Sequence, residues 1–117
     1  MSEIQIYHNP RCSKSRETLA LLQEQGITPD VIEYLKDTPD ADELKSLLKK
    51  LGIPARALLR SKEEEYKTCG LDNMALSDDD IINAMIAHPK LIERPIVVNG
   101  HQARIGRPPE LVLEILK

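Results

Sequence analysis

The sequence predicts an α/β fold, a four-stranded mixed sheet flanked by helices, on three observations. A strand–helix–strand pattern occupies residues 4–34, a strand–turn–strand–helix pattern occupies 96–116, and helical patterns fill the stretch between them. A helix joining two strands implies a right-handed parallel crossover, whereas a tight turn joins strands that pair antiparallel.

In the front segment, Ile4-Gln5-Ile6-Tyr7 reads as a strand and residues 13–25 as a helix. Leu19 and Leu22 are placed on its inner stripe beside Thr18 and Leu21. Gly26 stands where a left-handed cap would end that helix, and Val31-Ile32-Glu33-Tyr34 is expected to be the second strand. In the middle, Asp40-x-x-Glu43 resembles a capping box, and Leu44, Leu47, Leu48 and Leu51 share one helical face. Gly52 should stop this helix, and Pro54 suits the start of a short one through Leu59. Ser77-Asp78-Asp79-Asp80 opens another, with Ile81, Ile82, Met85 and Ile86 inward and His88-Pro89 at its end. Residues 61–75 are charged and are expected to be irregular. At the back, Ile96-Val97-Val98 and Ala103-Arg104-Ile105 flank Asn99-Gly100, both of which tolerate positive φ, so a hairpin centred on that pair is expected. Pro108-Pro109 then begins a helix facing inward through Val112, Ile115 and Leu116. This order, βαβ then ββα, is that of a thioredoxin-like fold with a helical insertion at about residues 40–89. Residues 1–117 are expected to form one domain.

Composition narrows the function. With three Tyr and neither Phe nor Trp, the core must be aliphatic, and a base-stacking platform is poorly supplied. A net charge of −3 argues against a phosphate-backbone footprint, so no nucleic-acid partner is expected. Charge is unevenly spread: residues 37–80 hold eleven acids against seven bases, whereas 88–107 hold Lys90, Arg94, Arg104 and Arg107 against Glu93 alone. That asymmetry suits a local anion site and equally a solvated surface. Cys12 and Cys69, 57 positions apart, make neither a disulfide framework nor a zinc motif, so no metal is expected. No apolar run reaches membrane-spanning length, and Met1-Ser2-Glu3 leads into the first strand without a leader pattern. A reducing, cytoplasmic setting is the expectation.

Cys12 is the candidate nucleophile. It stands where the first strand turns into a helix, beside unpaired backbone N–H groups and the positive end of the helix dipole. Arg11, Lys14 and Arg16 crowd the same turn and His8 lies just upstream, a setting that favours the reactive thiolate. A buried structural cysteine is the plainer alternative, but it rarely has such cationic company. In a thioredoxin-type layout the loop ahead of the third strand, Glu93-Arg94-Pro95-Ile96, approaches the cysteine, and its Arg94-Pro95 bond is expected to be cis.

These residues carry a resemblance to a known family. Tyr7-His8-Asn9-Pro10-x-Cys12, Ser15-Arg16, Thr18-Leu19, Arg56-Ala57-Leu58-Leu59-Arg60, His88-Pro89-x-Leu91-Ile92-x-Arg94-Pro95-Ile96-Val97 and Arg107-Pro108 together resemble the ArsC family of glutaredoxin-dependent arsenate reductases. The resemblance implies Cys12 as nucleophile, His8 and Ser15 as its modulators, and Arg60, Arg94 and Arg107 as oxyanion-binding residues. It also implies arsenate as substrate, glutathione as co-substrate, glutaredoxin as partner, and no bound cofactor.

Paired guanidinium donors suit an oxyanion such as arsenate. Singly, each arginine could equally be a helix cap or a surface ion pair. His8 could act as a cation or as a neutral imidazole, and Ser15 could bond the sulfur or merely cap the turn. Cys69 is treated as a bystander. Two further readings compete with arsenate reduction. Cys12-Ser13-Lys14-Ser15 is a Cys-x-x-Ser, which suits a monothiol thiol-disulfide oxidoreductase, although exchange needs no arginine cluster. A non-catalytic RNA polymerase-binding regulator resembling Spx shares the fold, but its Cys-x-x-Cys switch is absent here because Ser15 takes the second position. A small tyrosine phosphatase fails on spacing, since residue 18 is Thr rather than Arg.

Overall fold

The computed structural model describes residues 4–116; the Met1-Ser2-Glu3 start read above lies outside them. The chain divides into two compact units, one formed by residues up to Asp37 and from Arg94 onward, the other by Thr38–Glu93. The second unit corresponds to the helical insertion and extends it a few residues at each end.

The first unit contains β1 (Ile4–Tyr7), α1 (Ser13–Glu24), β2 (Asp30–Ile32), β3 (Ile96–Asn99), β4 (Gln102–Ile105) and a 3₁₀ helix, Pro109–Ile115. The strands form one sheet in the order β2-β1-β3-β4, with β1 and β2 parallel and the other pairs antiparallel. This is the expected thioredoxin-like arrangement. Ile6, Leu22, Val97, Val112 and Ile115 form its aliphatic core, with Leu19, Leu21 and Ile27 packed against them. Burying each such side chain contributes about 1.5–3 kcal/mol.

Register decides where the functional loops fall. Tyr7 pairs with Ile32 on one side and Ile96 on the other, and Ile96 pairs in turn with Ile105. The segments beyond these positions therefore gather at one end of the sheet: the loop from His8 to Cys12, Glu33–Lys36, Arg94-Pro95 and Gly106-Arg107.

The second unit packs α2 (Ala41–Leu51) and α4 (Asp78–Ala87) with the 3₁₀ turns Ala55–Leu58 and Pro89–Leu91. Asp40 caps α2 by accepting from the Glu43 N–H at 2.8 Å, and Gly52 closes it at φ 71°. Ser77 and Asp80 complete a reciprocal capping box on α4. Leu44, Leu47, Leu48, Leu58, Ile81, Ile82, Met85 and Leu91 are buried.

Five local expectations are corrected. The second strand is Asp30–Ile32 rather than 31–34, because the Glu33 carbonyl accepts from the N–H groups of Lys36 and Asp37 and turns the chain. The hairpin pivots on Gly100-His101 rather than Asn99-Gly100. Asn99 stays in β3 opposite Gln102, and among the two turn residues only Gly100 has positive φ, which suits a turn with glycine at its first central position. The last helix is 3₁₀ throughout and makes i→i+3 bonds such as Leu111 N–H to Pro108 O. Pro108 and Pro109 supply no N–H there, and no side chain caps its start. The short turn expected from Pro54 is likewise 3₁₀. Residues 61–75 include α3 (Glu64–Thr68), where no helix is expected.

Candidate active site

Cys12 is the N-cap of α1, in extended conformation, with its carbonyl accepting the Arg16 N–H at 3.0 Å. Its own N–H donates to the Asn9 carbonyl at 3.0 Å, so the loop arrives at the helix through a closed turn. Arg16 reinforces the turn from outside, donating Nη1–H to the Pro10 carbonyl at 2.9 Å. No acidic residue stands in the first turn of α1 to offset its positive end. Cys12 is 8% exposed, and its sulfur makes no capping hydrogen bond and receives Arg107 Nη2 at 3.6 Å.

Arg107 is fixed at both ends of its guanidinium. Nε donates to the Arg94 carbonyl at 2.8 Å while Nη2 reaches the sulfur. The Arg94-Pro95 bond is cis, as expected, and so is Arg107-Pro108. Arg94 is half-buried, and its Nε and Nη1 are shielded from solvent. Arg104, part of the basic segment in sequence, is engaged elsewhere, pairing with Glu114 at 3.0 Å.

His8 and Ser15 are both buried and share a 2.6 Å hydrogen bond between Nδ1 and Oγ. Ser15 Oγ also accepts the Asn9 N–H at 3.0 Å. Ser15 thus binds the loop to α1. Burial pushes the His8 pKa below its ordinary value; Glu33 opposes this and Arg16 adds to it. At neutral pH His8 is a neutral hydrogen-bonding partner rather than a cation beside the sulfur.

Arg60 belongs to the other unit. There its backbone N–H donates to the Leu91 carbonyl at 2.8 Å, and its guanidinium pairs with Glu63 at 3.4 Å and Glu93 at 3.6 Å. Cys69 is exposed at the end of α3, and both cysteines are free thiols. The structure therefore places Cys12, His8, Ser15, Arg94 and Arg107 in one unit, and Arg60 in the unit formed by the insertion.

Comparison with known proteins gives these residues a family. Residues 7–115 match the ArsC family. The chain belongs to the ArsC family. It is 56% identical over 115 residues to the uncharacterized protein YfgD of Escherichia coli (strain K12), covering 97% of each chain. It is 56% identical over 112 residues to the arsenate reductase of Haemophilus influenzae, covering 95% of this chain and 97% of that one. A solved arsenate reductase from Vibrio cholerae superposes with a TM-score of 0.95 at 61% identity, covering 97% of both chains.

Gly106 is a residue of this ArsC family chain that the sequence reading passed over. A Cβ at that position would lie 2.6 Å from Thr18 Oγ1 and 2.9 Å from Pro95 Cγ. Thr18 is buried and donates to the Lys14 carbonyl at 2.8 Å, and the proline ring is rigid, so neither neighbour can yield cheaply. Gly106 lets the chain leaving β4 pass close to Thr18 of α1 and to Pro95, and so deliver Arg107 to the sulfur. The only sequence signal is its place directly before Arg107-Pro108. Gly106→Ala is expected to destabilise the fold by about 1–3 kcal/mol, as overpacking does, read as a lowered urea midpoint.

A pH dependence follows from His8. Unfolded, the imidazole takes up a proton near pH 6.5, whereas folded it does so only at lower pH. The native state thus binds fewer protons across that interval, and the associated stability is present above pH 6.5 and lost as pH falls. Urea titrations at neutral and mildly acidic pH should show a smaller pH-dependent loss in His8→Asn than in the parent chain. Equal losses would contradict the assignment of a buried neutral imidazole.

Among the described residues no group of three or more His, Cys, Asp or Glu is placed to hold a metal ion, and no helix is long and apolar enough to cross a membrane.

Proposed function

We propose that this protein reduces arsenate to arsenite, with Cys12 as nucleophile and thiols as the electron source. The observation that carries this reading is the fixed Arg107 guanidinium at 3.6 Å from the sulfur of Cys12, the residue at the N-cap position of α1. Relatives about half identical to the chain and named arsenate reductase support it. Arsenate and a thiolate are both anions, so their approach needs positive charge aimed at the point of attack. Arg107 supplies it beside the sulfur, the start of α1 adds its dipole, and Arg94 stands on the loop whose carbonyl anchors Arg107.

The Cys12 thiolate bonds to As(V), and one arsenate oxygen leaves as water after taking two protons. Glutathione then replaces a second oxygen, again released as water, leaving arsenic bound to both sulfurs. A glutaredoxin thiolate attacks the glutathione sulfur. A disulfide forms, the S–As bonding pair passes to arsenic, and As(V) becomes As(III). Water finally displaces Cys12, releasing arsenite and the free thiol. Thiols supply both electrons, so no bound cofactor enters. His8 and Ser15 hold the loop so that the sulfur keeps its place at the helix start.

The test is arsenate-dependent NADPH consumption with glutathione, glutathione reductase and glutaredoxin. Turnover at the no-enzyme rate would remove the reading. Arg60→Ala and Arg94→Ala are each expected to raise the arsenate KM, and unchanged kinetics would reduce those arginines to structural roles.

A further inference from the structure

A cavity borders the Cys12 loop on the side away from Arg107. It measures about 350 Å³ and is lined by His8, Asn9, Pro10, Arg11, Glu33, Leu35 and Lys36. Sheet order sets its position. β2 lies on one side of β1 and β3 on the other, so Glu33–Lys36 flanks the Cys12 loop opposite the segments bearing Arg94 and Arg107.

We propose that this cavity seats the thiol co-substrate, a small peptide thiol with two carboxylates and one ammonium group, of which glutathione is the type. The inference rests on the thiol-coupled reading above and assigns that reading a second binding site. Charge is the first argument. Arg11 and Lys36 offer two cations and Glu33 one anion, the inverse of the charge set such a peptide carries. Lys36 and Glu33 do form an ion pair, at 3.7 Å, but the Lys36 side chain is 80% exposed. Such a pair is weakly held, so both groups can turn to a ligand.

Size and lining agree. The volume lies at the small end of the range of small-molecule sites, roughly 300–1,000 Å³. Pro10 and Leu35 provide apolar wall, and Leu35 remains exposed for so large a side chain. Position is the third argument. Asn9, Pro10 and Arg11 make up the turn that closes on Cys12, so a peptide anchored by its charged ends lies alongside the residue bearing the sulfur. Its own thiol then meets arsenic held on Cys12, while the oxyanion is gripped by arginines on the other side of the loop. Oxyanion and thiol would not compete for the same cations.

The test uses S-methylglutathione, which keeps every charge but cannot react. Titrated into the ¹⁵N-labelled protein, it should shift the amides of residues 8–11 and 33–36. Lys36→Glu and Arg11→Glu should each weaken that binding about tenfold, the scale of reversing one charge contact. Shifts confined to residues 94–107, or none at millimolar concentration, would overturn the proposal. In the coupled assay Lys36→Glu should raise the glutathione KM and leave the arsenate KM within about twofold, and an equal rise in both would also overturn it. Because the titration contains no arsenate, its result stands apart from the arsenate reading: binding at the cavity without arsenate-dependent turnover would remove the reductase function and leave the thiol site.

Discussion

Cys12→Ser is expected to lose arsenate-dependent turnover almost completely, by on the order of 10⁴-fold or more, the scale seen when a covalent nucleophile is removed. The substitution is small, so the effect separates chemistry from folding. Serine preserves the extended N-cap conformation and is itself a favoured cap, whereas the cysteine side chain makes no capping bond to lose. Urea midpoints of the variant should therefore equal or exceed those of the parent chain. The hydroxyl is a far weaker nucleophile than a thiol and has low affinity for arsenic. A variant that kept most of its turnover would exclude Cys12 as nucleophile. Cys69 would be the remaining thiol to test, since it is exposed.

Arg107→Ala is expected to lower kcat/KM for arsenate by roughly 10²–10³-fold, the cost of removing one donor aimed at developing charge. The case for Arg107 is geometric. Nε is anchored on the Arg94 carbonyl at 2.8 Å, and this directs Nη2 to the sulfur at 3.6 Å. Removing the side chain takes away both the charge at the sulfur and the tie between the two loops. Arg107→Lys separates the two roles. It keeps a cation but cannot hold the carbonyl and reach the sulfur through one planar group, so it should recover only part of the loss. Stability measured alongside kinetics would expose a purely structural role, in which both variants unfold early and turnover per folded molecule is unchanged.

The two predictions draw on different levels of the sequence. Cys12 was legible because strand, loop and helix alternate over a short span, and the leucines of residues 44–51 mark the next helix by strong periodicity. The sheet followed from the same local signals, since a crossover helix and a tight hairpin each dictate how their strands pair. Local signals also set the limit. The end of β2 depends on the Glu33 carbonyl folding back on Lys36 and Asp37, a turn that carries neither glycine nor proline. The hairpin pivot moved by one residue because Asn99, which looks like a turn residue, stays in its strand and donates Nδ2–H to the distant Ile115 carbonyl at 2.6 Å.

The site divides in the same way. Cys12, whose chemistry is written in its side chain and its place before a helix, could be named from the sequence, whereas Arg107 was implied by the family resemblance. Their actual contact spans 95 positions and is visible only in the fold. His8 was open between cation and neutral partner, and burial decides for the neutral form. Ser15, open between bonding the sulfur and capping the turn, instead joins His8 to Asn9. Gly106 could not be read at all, because its requirement comes from Thr18 and Pro95 crowding the space a side chain would fill. Arg104 and Arg107 look alike in sequence, yet Glu114 engages one while the other meets the sulfur.

The central claim is a bond between the Cys12 sulfur and arsenic, and arsenic K-edge absorption reads that bond directly. Protein incubated with arsenate and glutathione, without glutaredoxin, should show sulfur in the first coordination sphere of arsenic, and Cys12→Ser treated identically should not. Oxygen-only coordination in the parent chain, or the same sulfur signal in both proteins, would contradict the account.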